Sequence, residues 1–177
     1  MGTASDARFW DRTARKYAAG AIGDQVGYER TLQRTSALLR PGDRVLELGC
    51  GTGTTALRLA RGVDAHLATD ISTAMIAIAA EKSTAEPAAH LVFRTATAED
   101  IVPEPAPFNA VLGFNYLHLV RALPVTLSRI HALLTPGGLF ISKTPCVGEM
   151  NPLIRLVLPA MRMIGKAPMP AYFARRS

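Results

Sequence analysis

The segment Val45-Leu46-Glu47-Leu48-Gly49-Cys50-Gly51-Thr52-Gly53-Thr54 carries most of the chemistry legible in this chain. It reads as a strand, a glycine-rich turn and the start of a helix. Glycine lets a turn fold tightly and lets backbone approach a ligand without Cβ clashes. The spacing is G-x-G-x-G, and Thr54 stands where a dinucleotide fingerprint needs its third glycine. Glu47, near the strand tip, would repel a pyrophosphate across a short, poorly screened distance. The turn contains no Lys or Arg to hold phosphate. The pattern therefore points to an uncharged or cationic nucleoside group. Asp70, at the end of the next strand, can accept hydrogen bonds from both ribose hydroxyls or can cap the helix that follows.

Other side chains carry two readings each. His118 is a candidate general base, or a packed histidine between Leu117 and Leu119. Tyr116 is a candidate for the substrate pocket, and Tyr17 is divided between a lid and ordinary helix packing. Met75 is core first and ligand wall second, and Cys50 is a small filler in the turn with no base beside it. No His/Cys/Asp cluster has metal-ligand spacing, so no metal is expected.

The elements that must position these residues follow from hydrophobic periodicity. From Val45 onward, short apolar runs alternate with helical patterns, which predicts βαβ units and a parallel sheet. The predicted strands are 44–48, 65–69, 91–94, 108–114 and 139–143. Ser72 suits an N-cap for the helix that carries Met75 and Ala79. Pro124 starts a later helix whose buried face is expected to carry Leu127, Ile130, Leu133 and Leu134. Pro136-Gly137-Gly138 is expected to turn the chain into the fifth strand. Two helices precede the sheet, one with Phe9, Trp10, Ala14 and Tyr17 near one face, the other over 28–39. The division expected is helices in 1–40, a core in 41–146 and an apolar segment in 147–177. Pro152–Met161 in that last part reads as a short kinked helix.

Composition sets the outer limits. A chain of 177 residues with 49% hydrophobic content suits one α/β domain with a sizeable core. The net charge of +6 is spread in short groups without interleaved aromatics, which disfavours nucleic acid and reads as a solvated basic surface. No stretch is long and apolar enough to span a bilayer, and the first residues lack an apolar signal core. Two cysteines make no disulfide framework, so a cytoplasmic setting is expected.

In that order along the chain, the motifs resemble those of class I S-adenosylmethionine (SAM)-dependent methyltransferases, small-molecule branch. Glu47-Leu48-Gly49-Cys50-Gly51-Thr52-Gly53 is similar to their first motif, and Asp70-Ile71-Ser72-x-x-Met75 to their second. Thr97-Ala98-Glu99-Asp100-Ile101 resembles the loop after their third strand. Phe108-Asn109-Ala110-Val111 with Asn115-Tyr116-Leu117-His118-Leu119 resembles their fourth-strand motif, and Leu133-Leu134-Thr135-Pro136-Gly137-Gly138 their last turn. Phe9-Trp10-Asp11 through Tyr17 resembles a lid helix.

The resemblance implies a Rossmann-like three-layer sandwich with strand order 3-2-1-4-5. The family fold has seven strands, and only five can be counted here, so the last two are expected to be missing or replaced by the tail. It implies that Glu47 and the Gly49 backbone hold the methionine amino group, with Cys50 in the same turn, and that Gly51 and Gly53 make room for the cofactor. It implies that Asp70 binds ribose, Ile71 and Met75 flank the adenine, and the Ala98 backbone meets the adenine edge. Asn115 would lie by the methionine end and Tyr17 over its carboxylate. Thr97 replaces a frequent acid at the adenine amino group, and Asn109 a frequent Asp on the fourth strand. The implied activity is in-line methyl transfer to a small organic acceptor, which needs alignment more than a triad. The apolar segment Pro152–Met161, with Tyr116 and Trp10, adds the expectation that this acceptor is neutral or amphipathic. Two other readings stay open: a SAM-binding but inactive or regulatory protein, and, more weakly, a nicotinamide-dependent oxidoreductase. A homodimer is also left open.

Overall fold

In the computed structural model, residues 4–85, 88, 90–102 and 106–144 are described. The segment 147–177, with the helix expected at Pro152–Met161, lies outside them, as do any strands expected after the fifth.

The order of elements is α1 (Ala4–Ala19), α2 (Gln25–Leu38), β1 (Arg44–Leu48), α3 (Thr54–Leu59), β2 (Ala65–Asp70), α4 (Thr73–Ala85), β3 (Leu91–Thr95), β4 (Phe108–Phe114), α5 (Leu123–Leu133) and β5 (Leu134–Lys143). The described strands form one parallel sheet in the order β3-β2-β1-β4-β5. This is the expected Rossmann-like order, and it places β1 at the centre with β2 and β4 as neighbours.

A central parallel strand is covered on both faces, and β1 reads accordingly as an apolar run interrupted by one acid. Leu46 and Leu48 pack with Val111, Ile130 and Leu133 on the face that α5 covers. Val45 packs with Leu32, Leu59, Ala110 and Leu112 on the face of α2 and α3. Each such side chain, fully removed from water, contributes about 1.5–3 kcal/mol before entropy is counted.

Helix boundaries have local causes. Asp24 caps α2 by accepting from the Gly27 N–H at 2.8 Å. Ser72 caps α4, its hydroxyl accepting from the Met75 N–H at 3.1 Å. In α5 the buried row is Thr126, Ile130 and Leu133. Leu127 is 38% exposed, which corrects its expected place on the buried face. Thr126 is tolerated inside because its hydroxyl donates to Glu99 Oε1 at 2.8 Å.

The fifth strand starts earlier than expected. Leu134 already pairs with Phe108, and Leu139 pairs with Ala110. Pro136-Gly137-Gly138 is therefore a bulge within β5, with Gly137 at φ +76°, and not a turn before it.

Candidate functional site

The carboxyl ends of β1, β2 and β4 open on a cavity of about 970 Å³, roofed from one side by α1 and its following loop. Its wall includes Tyr17, Glu47, Gly49, Cys50, Gly51, Asp70, Ile71, Met75, Thr97, Asn115 and Tyr116. These residues span most of the chain, and the sheet order is what brings them together. Gly53, Ala98 and His118 do not line this cavity.

The glycines of the turn have different reasons. All three have φ between +54° and +76°. A Cβ at Gly49 would lie 2.9 Å from the Tyr116 ring, so Gly49 lets that ring seat against the turn. A Cβ at Gly53 would lie 2.8 Å from Ala79 Cβ and from the Phe93 ring. Gly53 therefore closes the turn against α4 and β3 and makes no room on the cavity side. Gly51 faces the cavity beside Tyr17, and its N–H donates to Asp70 Oδ2 at 3.0 Å.

Asp70 is thus used twice within the protein. Its Oδ1 accepts from the Ser72 N–H at 2.9 Å, while Oδ2 takes Gly51. Burial pushes its carboxyl above the usual value, and these backbone N–H groups pull the other way. Each oxygen has two lone pairs, so one acceptor site on each is left for a ligand. Glu47 is 2% exposed and contributes to the cavity wall. Its Oε2 lies 3.4 Å from His66 Nε2 and has no aligned hydrogen-bond partner.

At the far end of the cavity, Asn115 has φ 52°, alone among the described non-glycine residues in the left-handed region. Its N–H donates to Lys143 O at 2.7 Å, tying the end of β4 to the end of β5. Tyr116 follows, largely buried, with its phenol pKa pushed up by that burial and by the acids Glu99 and Asp70. A phenol held protonated can donate a hydrogen bond and cannot serve as a base near neutrality. His118 sits in the short turn Leu117–Leu119, half-buried; burial lowers its pKa, and its Nδ1 has no partner among the described residues.

Thr97 is engaged with its own turn. Its N–H and hydroxyl both donate to Asp100 Oδ2 at 2.8 Å. Ala98 is fully buried in the same turn, and its carbonyl accepts from Arg129 Nε at 3.3 Å.

Three contributors escaped the sequence reading because their partners are remote. Lys82, from α4, donates to the hydroxyls of Thr52 (2.9 Å) and Thr54 (3.1 Å), so the turn has a cation beside it although it contains none. Asp11, from α1, accepts from Ser72 Oγ at 2.6 Å and from the Ala74 N–H at 3.1 Å, adding a carboxylate to the N-terminus of α4. His66 is the third. The only local signal for it was a histidine inside an apolar strand pattern.

The comparisons with known proteins agree with this architecture. The family described as "Methyltransferase domain" matches residues 45–138, more than half of the chain. A demethylmenaquinone methyltransferase of Symbiobacterium thermophilum is 31% identical over 122 residues, covering 67% of this chain and 47% of that protein. The chain thus spans about half the length of that relative. Among solved structures, phosphoethanolamine N-methyltransferase 2 of Haemonchus contortus, in complex with SAM, aligns with TM-score 0.76 at 23% identity, over 98% of this chain and 42% of that one. DhpI in a SAM–HEP complex aligns with TM-score 0.67 at 21% identity, over 86% and 69%. With the first motif, the sheet order and the family match in agreement, the chain belongs to the class I SAM-dependent methyltransferases.

Proposed function

We propose that this cavity binds SAM and that the chain transfers its methyl group to a small, largely apolar organic acceptor. The observation that carries this reading is the pair of carboxylates, Glu47 and Asp70, on the cavity wall at the ends of adjacent strands. The donor set fits the group. A buried carboxylate without an aligned partner suits an ammonium, and Asp70 keeps acceptor capacity for two hydroxyls. A pyrophosphate would instead meet Glu47 at close range. Lys82 also lines the cavity and keeps one N–H beyond its two threonine hydroxyls, so the case against a pyrophosphate rests on Glu47.

When bound, SAM supplies a methyl group already activated on a sulfonium. The protein's own task is alignment and exclusion of water. Glu47 would hold the ammonium, Asp70 the ribose, and Ile71 and Met75 would give apolar contact to the adenine. Asn115 and the Gly49 backbone would border the methionine end, with Tyr17 closing over it. We assign 1–40 as a lid to this single domain. The remaining wall, with Phe9, Trp10, Leu32, Phe114 and Leu119, favours an acceptor with an apolar body. The name of the Symbiobacterium relative favours quinol-like phenols within that class.

His118 and Tyr116 are the catalytic candidates that the sequence offers. His118 does not line the cavity, and the Tyr116 phenol is held protonated. We therefore give Tyr116 the role of a wall that orients the acceptor, with proton loss left to the acceptor and solvent. A second reading, SAM binding without turnover, draws on the absence of a histidine from the described wall. No described helix is long and apolar enough to cross a membrane, and a cytoplasmic setting is part of the proposal.

The test is S-adenosylhomocysteine release over a panel of hydrophobic phenols, quinols and RNA, alongside calorimetric titration with SAM and with NAD. SAM binding with turnover on a phenol or quinol is expected. SAM binding without turnover on any acceptor favours the second reading, and turnover on RNA alone refutes the acceptor class.

A further inference from the structure

Glu47 is buried beside a histidine that the proposed binding reaction does not use. His66 lies on β2, in register with Val45 of β1, and Glu47 is in register with Ala68. Alternation along the strands therefore puts Glu47 and His66 on one face of the sheet, on a diagonal. Their side chains are 3% and 0% exposed, and His66 Nε2 stands 3.4 Å from Glu47 Oε2. Both nitrogens of His66 are buried without a hydrogen-bond partner among the described residues. An imidazole left so costs free energy that an apolar residue of similar size would not. Around it the strands supply apolar side chains: Val45 across on β1 and Leu91 across on β3. The charged atom within reach of Nε2 among the described residues is Glu47 Oε2.

We propose that His66 is a positioning residue for Glu47. His66 Nε2 stands 3.4 Å from Oε2 but unaligned; with the hydrogen on Nε2, a small rotation of the ring aims the N–H at that oxygen and holds it toward β2. The carboxylate is then fixed at the β1 tip, and its charge is kept available to a cationic ligand in the cavity. A carboxylate buried here without a neighbouring donor would turn away from the cavity toward other partners. This inference rests on the reading of Glu47 as the partner of the methionine ammonium, and the experiment separates the two.

The experiment compares two ligands by calorimetry. S-adenosylhomocysteine carries the ammonium; 5′-methylthioadenosine has the same nucleoside and thioether but no amino acid group. Glutamine places an N–H where histidine has Nε2, whereas asparagine, one carbon shorter, matches only Nδ1. His66→Gln is expected to keep the wild-type ratio of the two affinities. His66→Asn is expected to weaken S-adenosylhomocysteine about tenfold and to leave methylthioadenosine unchanged, the size expected for one lost charge-assisted bond. The proposal is overturned if the two variants shift the ratio alike, if neither shifts it, or if His66→Asn weakens both ligands equally, as a purely structural residue would. Should His66→Asn not fold, His66→Leu, which fills the strand and offers no donor, takes its place in the same comparison. Glu47→Gln is the control for the underlying reading. If it leaves the ratio at the wild-type value, Glu47 does not hold the ammonium. If it lowers the ratio while His66→Asn does not, only the role of His66 fails.

Discussion

The floor of the cavity and the helix α1 that roofs it, which we propose as its lid, are built in different ways. The floor is closed by backbone. Cys50 N–H donates to Thr69 O at 2.9 Å, Gly51 N–H to Asp70, and the glycines are shaped by what packs against them. The lid helix α1 is held by ionised side chains at its edges. Asp11 caps α4 from across the cleft, and Asp6 pairs with Arg121 at 3.0 Å. Backbone closure in a buried sheet leaves few alternative arrangements. Charged contacts at a partly exposed edge are worth less each and are easier to release. The comparison teaches that ligand binding should depend on the floor, while access should depend on the lid.

The largest effect should come from the floor. Gly53→Ala adds a methyl group 2.8 Å from Ala79 and Phe93 in a left-handed backbone, and should cost about 2–4 kcal/mol in a thermal or urea melt. A loss under about 0.5 kcal/mol would show that the turn can open without penalty. Asp70→Ala should weaken SAM by about 1.5–3 kcal/mol, as the ribose hydroxyls lose a charged acceptor. Unchanged affinity in a titration would leave Asp70 as a brace for Gly51 and Ser72 alone.

The lid should answer more weakly and through different observables. Asp11→Ala removes a cap and should cost about 1 kcal/mol. Hydrogen exchange should speed up in α1 and at the start of α4 while β1 stays protected. The same carboxylate sets a pH response. The Ser72 hydroxyl, with lesser help from the Ala74 N–H, holds the Asp11 pKa below its ordinary value of 3.8, against an opposing effect of burial second only to that of Ser72. A depressed acid stabilises the fold fully above the ordinary value and loses that contribution as pH falls through the lowered one. Lid docking should therefore persist through mildly acidic solution and weaken only below about pH 4, an acid-range step that Asp11→Asn abolishes. The smallest effect should be that of Arg121→Ala, about 0.2–1 kcal/mol and reduced by salt, because both partners reach solvent.

The same contrast explains how much of the molecule could be read from its sequence. The floor was legible because Val45–Thr54 and Asp70–Met75 write their geometry in consecutive residues, as glycines at fixed offsets and apolar runs, while the strand order came with the family resemblance. Pairings between distant positions were not legible. Asp11 meets Ser72, Thr126 meets Glu99 and Lys82 meets the threonines of the turn only after the layers pack. Thr126 shows the physical reason. A polar residue on a buried helix face is recognised only through its partner, so hydrophobicity assigned that face to Leu127. Gly53 was legible as a required glycine, although its reason, contact with Ala79 and Phe93, was not.

The bond from Gly51 to Asp70 also bears on time. It joins residues 19 apart in the chain, whereas Asp11 meets Ser72 across 61 and Arg121 meets Asp6 across 115. Closing a longer loop costs more entropy before its contacts repay it. As the chain folds, the floor should therefore be in place before the lid arrives. In a pulse-labelled refolding experiment the Gly51 amide should become protected ahead of those in α1. A newly folded domain would then pass through a stage in which the cofactor can enter an open cleft.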